Sequence, residues 1–486
     1  MKRVILFFAA IAVFSALISA QTRGRMLSVD DMRSDLAALR AIVEQSHPNP
    51  YRSADQSTVD RNWVLADRKL TKPMSSVEYL NFIAPLLTQY NDGHTAMDLP
   101  HESEAFTAYT KAGGKLFPFR VAIKNDKLYI TESLGGTSID RGSEVLAIDG
   151  RKTPVVLRDL RQLAMGDTPA GRDSALARLL SLYLWQRYGT GTKFALSVRR
   201  PSGEVAAVTG AGVDWERYSD VLFGDKPIHS YELSPSVYVI EVNKMQSRDE
   251  VKKAIDDAFA IVREKGYPHL AIDLRKNGGG NSVVGDWVIE HLTRRPYNQG
   301  GTKEVRISPY FAQTSKSYAN WIAPQKERFG VTGDRIVIKY EGDGEAADTD
   351  KWVYTGKVYL LTGPRTYSSG FMMAEAFKCY GFGQLVGESP GSHRNLSGEM
   401  RYFSLPRSKW GGFVAVAQFF PPCYQKQRSD FLAPDVPLKQ SLADLTAGKD
   451  TVLEYLKSIA ANESVAGQGS GQSSEGGSPE RPKSAN

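Results

Sequence analysis

The chain of 486 residues is too long for a single small module; at roughly 100 to 200 residues per domain it fits two to four. With 41% hydrophobic and 24% charged residues, 43 Gly and 24 Pro, it is neither collagen-like nor wholly disordered. Its net charge of +7, from 61 basic against 54 acidic side chains, is too dilute over this length to call for nucleic acid as a partner.

Lys2 and Arg3 precede an almost unbroken apolar run from Val4 to Ile18, and Ile18-Ser19-Ala20 before Gln21 supplies small residues for cleavage. Residues 1–20 therefore read as a secretory signal peptide. The run is about 15 residues, short of the roughly 20 that span a bilayer, and no later window is apolar enough to cross one. A periplasmic or secreted protein with no membrane span after signal removal is expected. Cys379 and Cys423 are the two cysteines. Export permits a disulfide between them, worth about 4 kcal/mol in the loop-entropy account; two buried thiols are the alternative. Neither arrangement makes a zinc site, and no metal or other cofactor is expected.

Residues 21–110 form a helical region. Met32, Leu36, Leu39 and Val43 repeat on one face of a helix from Ser28 to about Ser46, which His47-Pro48-Asn49-Pro50 stops. Ser75 with Glu78 makes a capping box for a second helix through Leu80, Ile83 and Leu87, which Pro85 should kink or restart. It ends in the polar turn Asn91-Asp92-Gly93-His94-Thr95.

Over residues 111–215 the period changes to that of strands, at Leu128–Ile130, Val145–Ile148 and Phe194, Leu196 and Val198, with a helix over Ala175 to Tyr188. The string from Ile139 to Gly150, a Gly turn into a strand ending at Asp-Gly, resembles a PDZ domain, with a generic small β module as the alternative. Residues 225–447 alternate strands and helices. Strands are predicted at Val237–Ile240, Leu270–Leu274 and Val358–Leu361, and helices at Asp249–Lys265, Ser282–Leu292 and Ser369–Phe377, which argues for a layered α/β core. Residues 463–486 are Gly, Ser, Gln, Glu and Pro with almost nothing apolar, and read as a disordered tail.

Three polar patches fall at element ends in this scheme. Arg275-Lys276-Asn277-Gly278-Gly279-Gly280 follows a strand, and its glycines let backbone N–H groups converge on a ligand. Taken alone, this is better read as a flexible turn or a helix cap. Ser368 and Ser369 lie between a strand and a helix N-terminus, where free N–H groups and the helix dipole favour developing negative charge; Ser at such a place is more often an N-cap. His94 could take a proton from a Ser hydroxyl near neutral pH, although a lone His in a turn is usually a capping residue. Together the patches supply a base, a nucleophile and oxyanion donors.

The strings NDGHT at 91–95, IDLRKNGGG at 272–280, TYSSGFMMAEA at 366–376 and VGESPG at 386–391 resemble, in order, the tail-specific or C-terminal processing serine peptidases. The likeness extends from His47-Pro48-Asn49-Pro50-Tyr51 to Ala433-Pro434-Asp435. It implies an α/β fold with a crotonase-like layered core, a helical N-terminal region and an inserted PDZ-like β domain, acting on polypeptide substrates. It implies Ser368 as nucleophile, with the Gly278 or Gly279 and Ser369 amides as oxyanion hole. One branch of the family uses a Lys base downstream of the nucleophile, but His393 stands at that offset. The tricorn-core-like secreted branch uses a His, which His94 matches, leaving His393 in reserve. Glu399, in a Gly-Glu pair seen in that branch, is the candidate third catalytic residue, with Asp92 expected to point away; a Ser–His dyad without an acidic partner is the alternative. Two other readings compete: a non-catalytic peptide- or ligand-binding relative in the cell envelope, and an acyl-CoA enzyme on the same core.

Overall fold

The computed structural model describes residues 24–340, 351–424 and 429–469. The signal-peptide segment, residues 1–20, lies outside them. Among the described residues no helix is long and apolar enough to cross a membrane.

Three helices lead the chain: α1 (Val29–Ser46), α2 (Gln56–Lys69) and α3 (Ser76–Thr88). Ser28 caps α1 by accepting from Asp31 N–H, and Ser75 with Glu78 forms the full capping box of α3. Pro85 neither kinks nor restarts α3 as expected. It sits in the last turn, so the single lost hydrogen bond falls where the helix is about to end at Thr88.

An inserted β unit follows. Strands β1 (Phe119–Lys124), β2 (Lys127–Ser133), β3 (Glu144–Ile148), β4 (Lys193–Arg199) and β5 (Val205–Ala211) form an antiparallel sheet in that spatial order, leaving β1 on an edge. Helices α4 (Thr153–Arg161) and α5 (Pro169–Tyr188) lie between β3 and β4 in the chain. α5 begins six residues before the predicted Ala175, because Thr168 caps it and Pro169 takes the first turn, where no N–H is needed.

The core sheet runs β6 (Ile228–Ser234), β7 (Val237–Val242), β8 (His269–Asp273), β11 (Lys357–Thr362), β12 (Gln384–Gly387) and β15 (Val436–Pro437), parallel except for β6. Buried Ile, Val and Leu side chains on both faces are what a parallel sheet covered on both sides requires. On one face, Val239, Ala271, Tyr359 and Leu361 pack with Val452 and Leu456 of α9 (Thr451–Gly469). On the other, Ile240, Ile272 and Leu360 meet α6 (Asp249–Lys265), α7 (Val283–Ile289) and α8 (Ser369–Tyr380). A second, antiparallel sheet has the order β10 (Arg335–Lys339), β9 (Thr302–Arg306), β14 (Gly411–Phe420), β13 (Ser397–Ser404), and the short strand Ala96–Met97 pairs with β14. This last pairing carries the end of the helical region to the edge of the core.

Two sequence expectations are corrected or resolved. α9 runs to Gly469, so residues 463–469 are helical; the segment extends a helix already nucleated by packing of Val452 and Leu456, and Glu463 pairs with Lys357 at 2.6 Å. Cys379 and Cys423 form a disulfide, joining the end of α8 to the segment after β14.

Candidate active site

Neighbouring parallel strands β8 and β11 both end in the loops singled out from the sequence. Crevices outside the carboxyl ends of such strands are where open α/β sheets bind ligands. After β11 the chain makes a tight turn: Thr366 N–H donates to Gly363 O at 2.8 Å, and the Thr366 hydroxyl donates to Leu274 O at 2.8 Å. Ser368 then adopts φ 53° and ψ −127°, a costly backbone for a residue with a Cβ, immediately before α8. Its side chain makes no capping bond, so the plain N-cap reading fails. Instead, Oγ lies 3.1 Å from His94 Nε2.

His94 is held from below. Asp92 Oδ1 accepts from His94 N–H at 2.9 Å, while Oδ2 faces His47 Nε2 at 2.5 Å and accepts from the Thr95 hydroxyl at 3.0 Å. Burial works against ionisation of Asp92, but its bond to His47 and the nearby charges outweigh it and hold the carboxyl far below its ordinary range. It is thus a fixed anion under the loop, turned away from the imidazole as expected. The imidazole is buried, and this burial lowers its pKa below 6.5, keeping it neutral and able to accept a proton.

The third position differs from expectation. His94 Nδ1 lies 3.0 Å from the Tyr367 hydroxyl, which in turn lies 2.6 Å from Asp167 Oδ1, and the His94 and Tyr367 rings stack with centroids 4.7 Å apart. Glu399 lines the cleft but accepts from Lys303 Nζ at 2.8 Å; a positive φ of 53° at an unpaired position in the β13–β14 register turns it there. His393 is engaged elsewhere. Its Nε2 faces Ser53 Oγ at 3.2 Å and its ring stacks on Phe431.

The glycine loop closes against the nucleophile. Gly279 has φ +99°, and a Cβ there would fall 2.5 Å from Ser368 Cβ. Gly279→Ala is therefore expected to displace Ser368 and lower kcat at least 100-fold; a steady-state assay with peptide substrates measures it. Of the expected oxyanion donors, Ser369 N–H is the first amide of α8 and has no acceptor within the helix. Gly279 N–H, by contrast, donates to the buried Asn277 Oδ1 at 2.7 Å. The cleft of about 920 Å³ in front of Ser368 is lined by His94, Gly280, Met372, Leu396, Phe419 and Lys303, among others.

A serine in the loop after a parallel strand, faced by a neutral histidine in the turn after α3, is an arrangement that suits a serine-type peptidase. Residues 236–438 match the model of peptidase family S41, so this part of the chain is similar to that family. Among solved structures, mature CPAF complexed with lactacystin superposes with a TM-score of 0.60 at 14% identity, covering 88% of this chain and 98% of that one. A serine mutant of CPAF gives 0.62 at 15% identity, with 89% and 96% covered. At these identities the likeness is one of fold. No curated protein matches the chain.

Proposed function

We propose that the protein is an exported serine peptidase that cleaves polypeptides through an acyl-enzyme on Ser368, with His94 as general base. The observation that carries this is the 3.1 Å approach of His94 Nε2 to the Oγ of a strained, non-capping serine. His94 takes the Ser368 proton as Oγ attacks the scissile carbonyl. The Ser369 amide, with that of Gly278 or Gly279, would hold the developing oxyanion, and Gly279 can serve only when its N–H leaves Asn277. Protonated His94 then gives its proton to the leaving amine, and water reverses the sequence to free the acid. Export rests on the pattern of residues 1–20 and is compatible with the disulfide.

The inserted unit is read as PDZ-like and substrate-binding. Its edge strand β1 and helix α5 flank a groove of about 720 Å³ that also reaches Arg365, three residues before the nucleophile. An extended polypeptide can add to β1 as a further strand there.

A fluorophosphonate probe tests the catalytic reading. The folded protein should be labelled at Ser368, and much more slowly in a His94→Ala variant. Absence of labelling would favour a binding-only relative. Because burial lowers the His94 pKa, kcat/KM should hold as pH falls to 6.5 and decline only below it, as the base becomes protonated. A pH–rate profile with an acid limb centred above 6.5 would contradict this.

A further inference from the structure

We propose that Asp167, reaching from the inserted β unit, is a positioning residue for the base: through the Tyr367 hydroxyl it fixes the His94 tautomer that can accept the Ser368 proton. This rests on the Ser368–His94 reading and fills the role that the sequence suggested for Glu399.

The argument is one of proton direction. An ionised carboxylate only accepts. Asp167 is buried, and its Oδ1 accepts from Gly93 N–H at 2.7 Å and stands 2.6 Å from the Tyr367 oxygen. Two oxygens that close need a proton between them, and the phenol has the only one, so Tyr367 donates to Asp167. Burial and the Asp167 charge both push the Tyr367 pKa well above 10, which keeps that proton in place. Having spent its proton, the Tyr367 oxygen can only accept from His94 Nδ1 at 3.0 Å, so Nδ1 carries the imidazole proton. Nε2 is then a bare lone pair facing Ser368 Oγ at 3.1 Å. When His94 becomes imidazolium, the same chain sets the Asp167 charge one hydroxyl away from it. The charged groups facing His94 are Asp92 and Asp167, which favour the imidazolium, and Arg52 and His47, which oppose it.

The packing is built around this chain. A Cβ on Gly93 would fall 2.6 Å from the Tyr367 oxygen, so the glycine beside the base makes room for the phenol. Asp167 Oδ2 accepts from His393 N–H at 3.2 Å, with the Arg52 guanidinium 3.8 Å away. On the same short segment, Gly171 of α5 packs against Gly391, and Arg172 donates to Asn91 Oδ1. The inserted unit is thus seated on both loops that flank the base, and its seating decides the tautomer.

Tyr367→Phe and Asp167→Asn in the full chain test this. Both should lower kcat about 10- to 100-fold with KM within about twofold, and in Asp167→Asn the acid limb of the pH profile should move to lower pH, since a charge favouring the imidazolium is gone. Selective ¹⁵N labelling of histidine should find the proton of wild-type His94 on Nδ1. The proposal is overturned if kcat stays within twofold in both variants, if it falls with no change in acid limb, or if the wild-type proton is on Nε2. The NMR measurement holds even if a variant fails to fold. Failure of wild-type Ser368 to react with a fluorophosphonate would instead overturn the parent reading, whereas equal labelling of wild type and both variants overturns this inference alone.

Discussion

Ser368→Ala is expected to lower kcat on the order of 10⁴- to 10⁶-fold while leaving the folded structure in place. The Oγ makes one hydrogen bond, to His94, and caps nothing, so removing it costs the fold almost no interaction. The substitution keeps the Cβ that sits against Gly279, so the glycine loop has no cause to move. What disappears, on the proposed mechanism, is the covalent step. His94→Ala should cost nearly as much, and the two together little more than either, because they act as one unit. Turnover of a casein-like polypeptide, followed alongside circular dichroism, measures both effects. Retention of more than about 1% of wild-type activity in Ser368→Ala would mean that another nucleophile carries the reaction.

The largest effect on stability is expected in the middle of the same helix. Glu375 of α8 and Arg394 have side chains 1% and 0% exposed and meet through two bonds of 2.6 and 2.8 Å. Breaking such a pair leaves an uncompensated buried charge. Glu375→Ala or Arg394→Ala should therefore lose about 3 to 5 kcal/mol, read as a lower midpoint in urea unfolding. Replacing both by apolar residues of similar volume should cost much less. Since Arg394 follows His393, whose amide donates to Asp167, the single variants should also lose activity before they unfold. A loss under 1 kcal/mol in both would show that water reaches the pair.

Much of the parallel core was legible in the sequence because its signals are local. α6 has the predicted limits, Asp249 to Lys265, and β7, β8 and β11 lie within two residues of theirs, since continuous apolar strands and an amphipathic helix announce themselves. α4 escaped notice because Pro154, Val155 and Val156 are poor helix formers; burial of Val156, Leu157 and Leu160 overrides the propensity. The β13–β14 hairpin was hidden by the irregular position at Glu399, which breaks the alternation of β13.

The site divides in the same way. Ser368 and His94 could be found because each stands at an element end in a recognisable string. Glu399 is marked only by a dipeptide, and a dipeptide carries no direction. Tyr367 lay in view beside the nucleophile, and Gly93 beside the base was the one local hint that something bulky must fit there. Asp167 had no such sign. It stands 200 residues before Tyr367, in a different structural unit, and only the folded chain brings them together.

That separation has a further consequence for when the molecule can act. His94 and Ser368 are 274 residues apart in the chain, and the aspartate lies between them in the inserted unit. An extended or half-finished polypeptide therefore holds no working centre at all, and a chain dominated by such distant contacts closes slowly. On the proposed mechanism, activity on refolding should therefore appear only with the last of these long-range contacts, and not with the first helices.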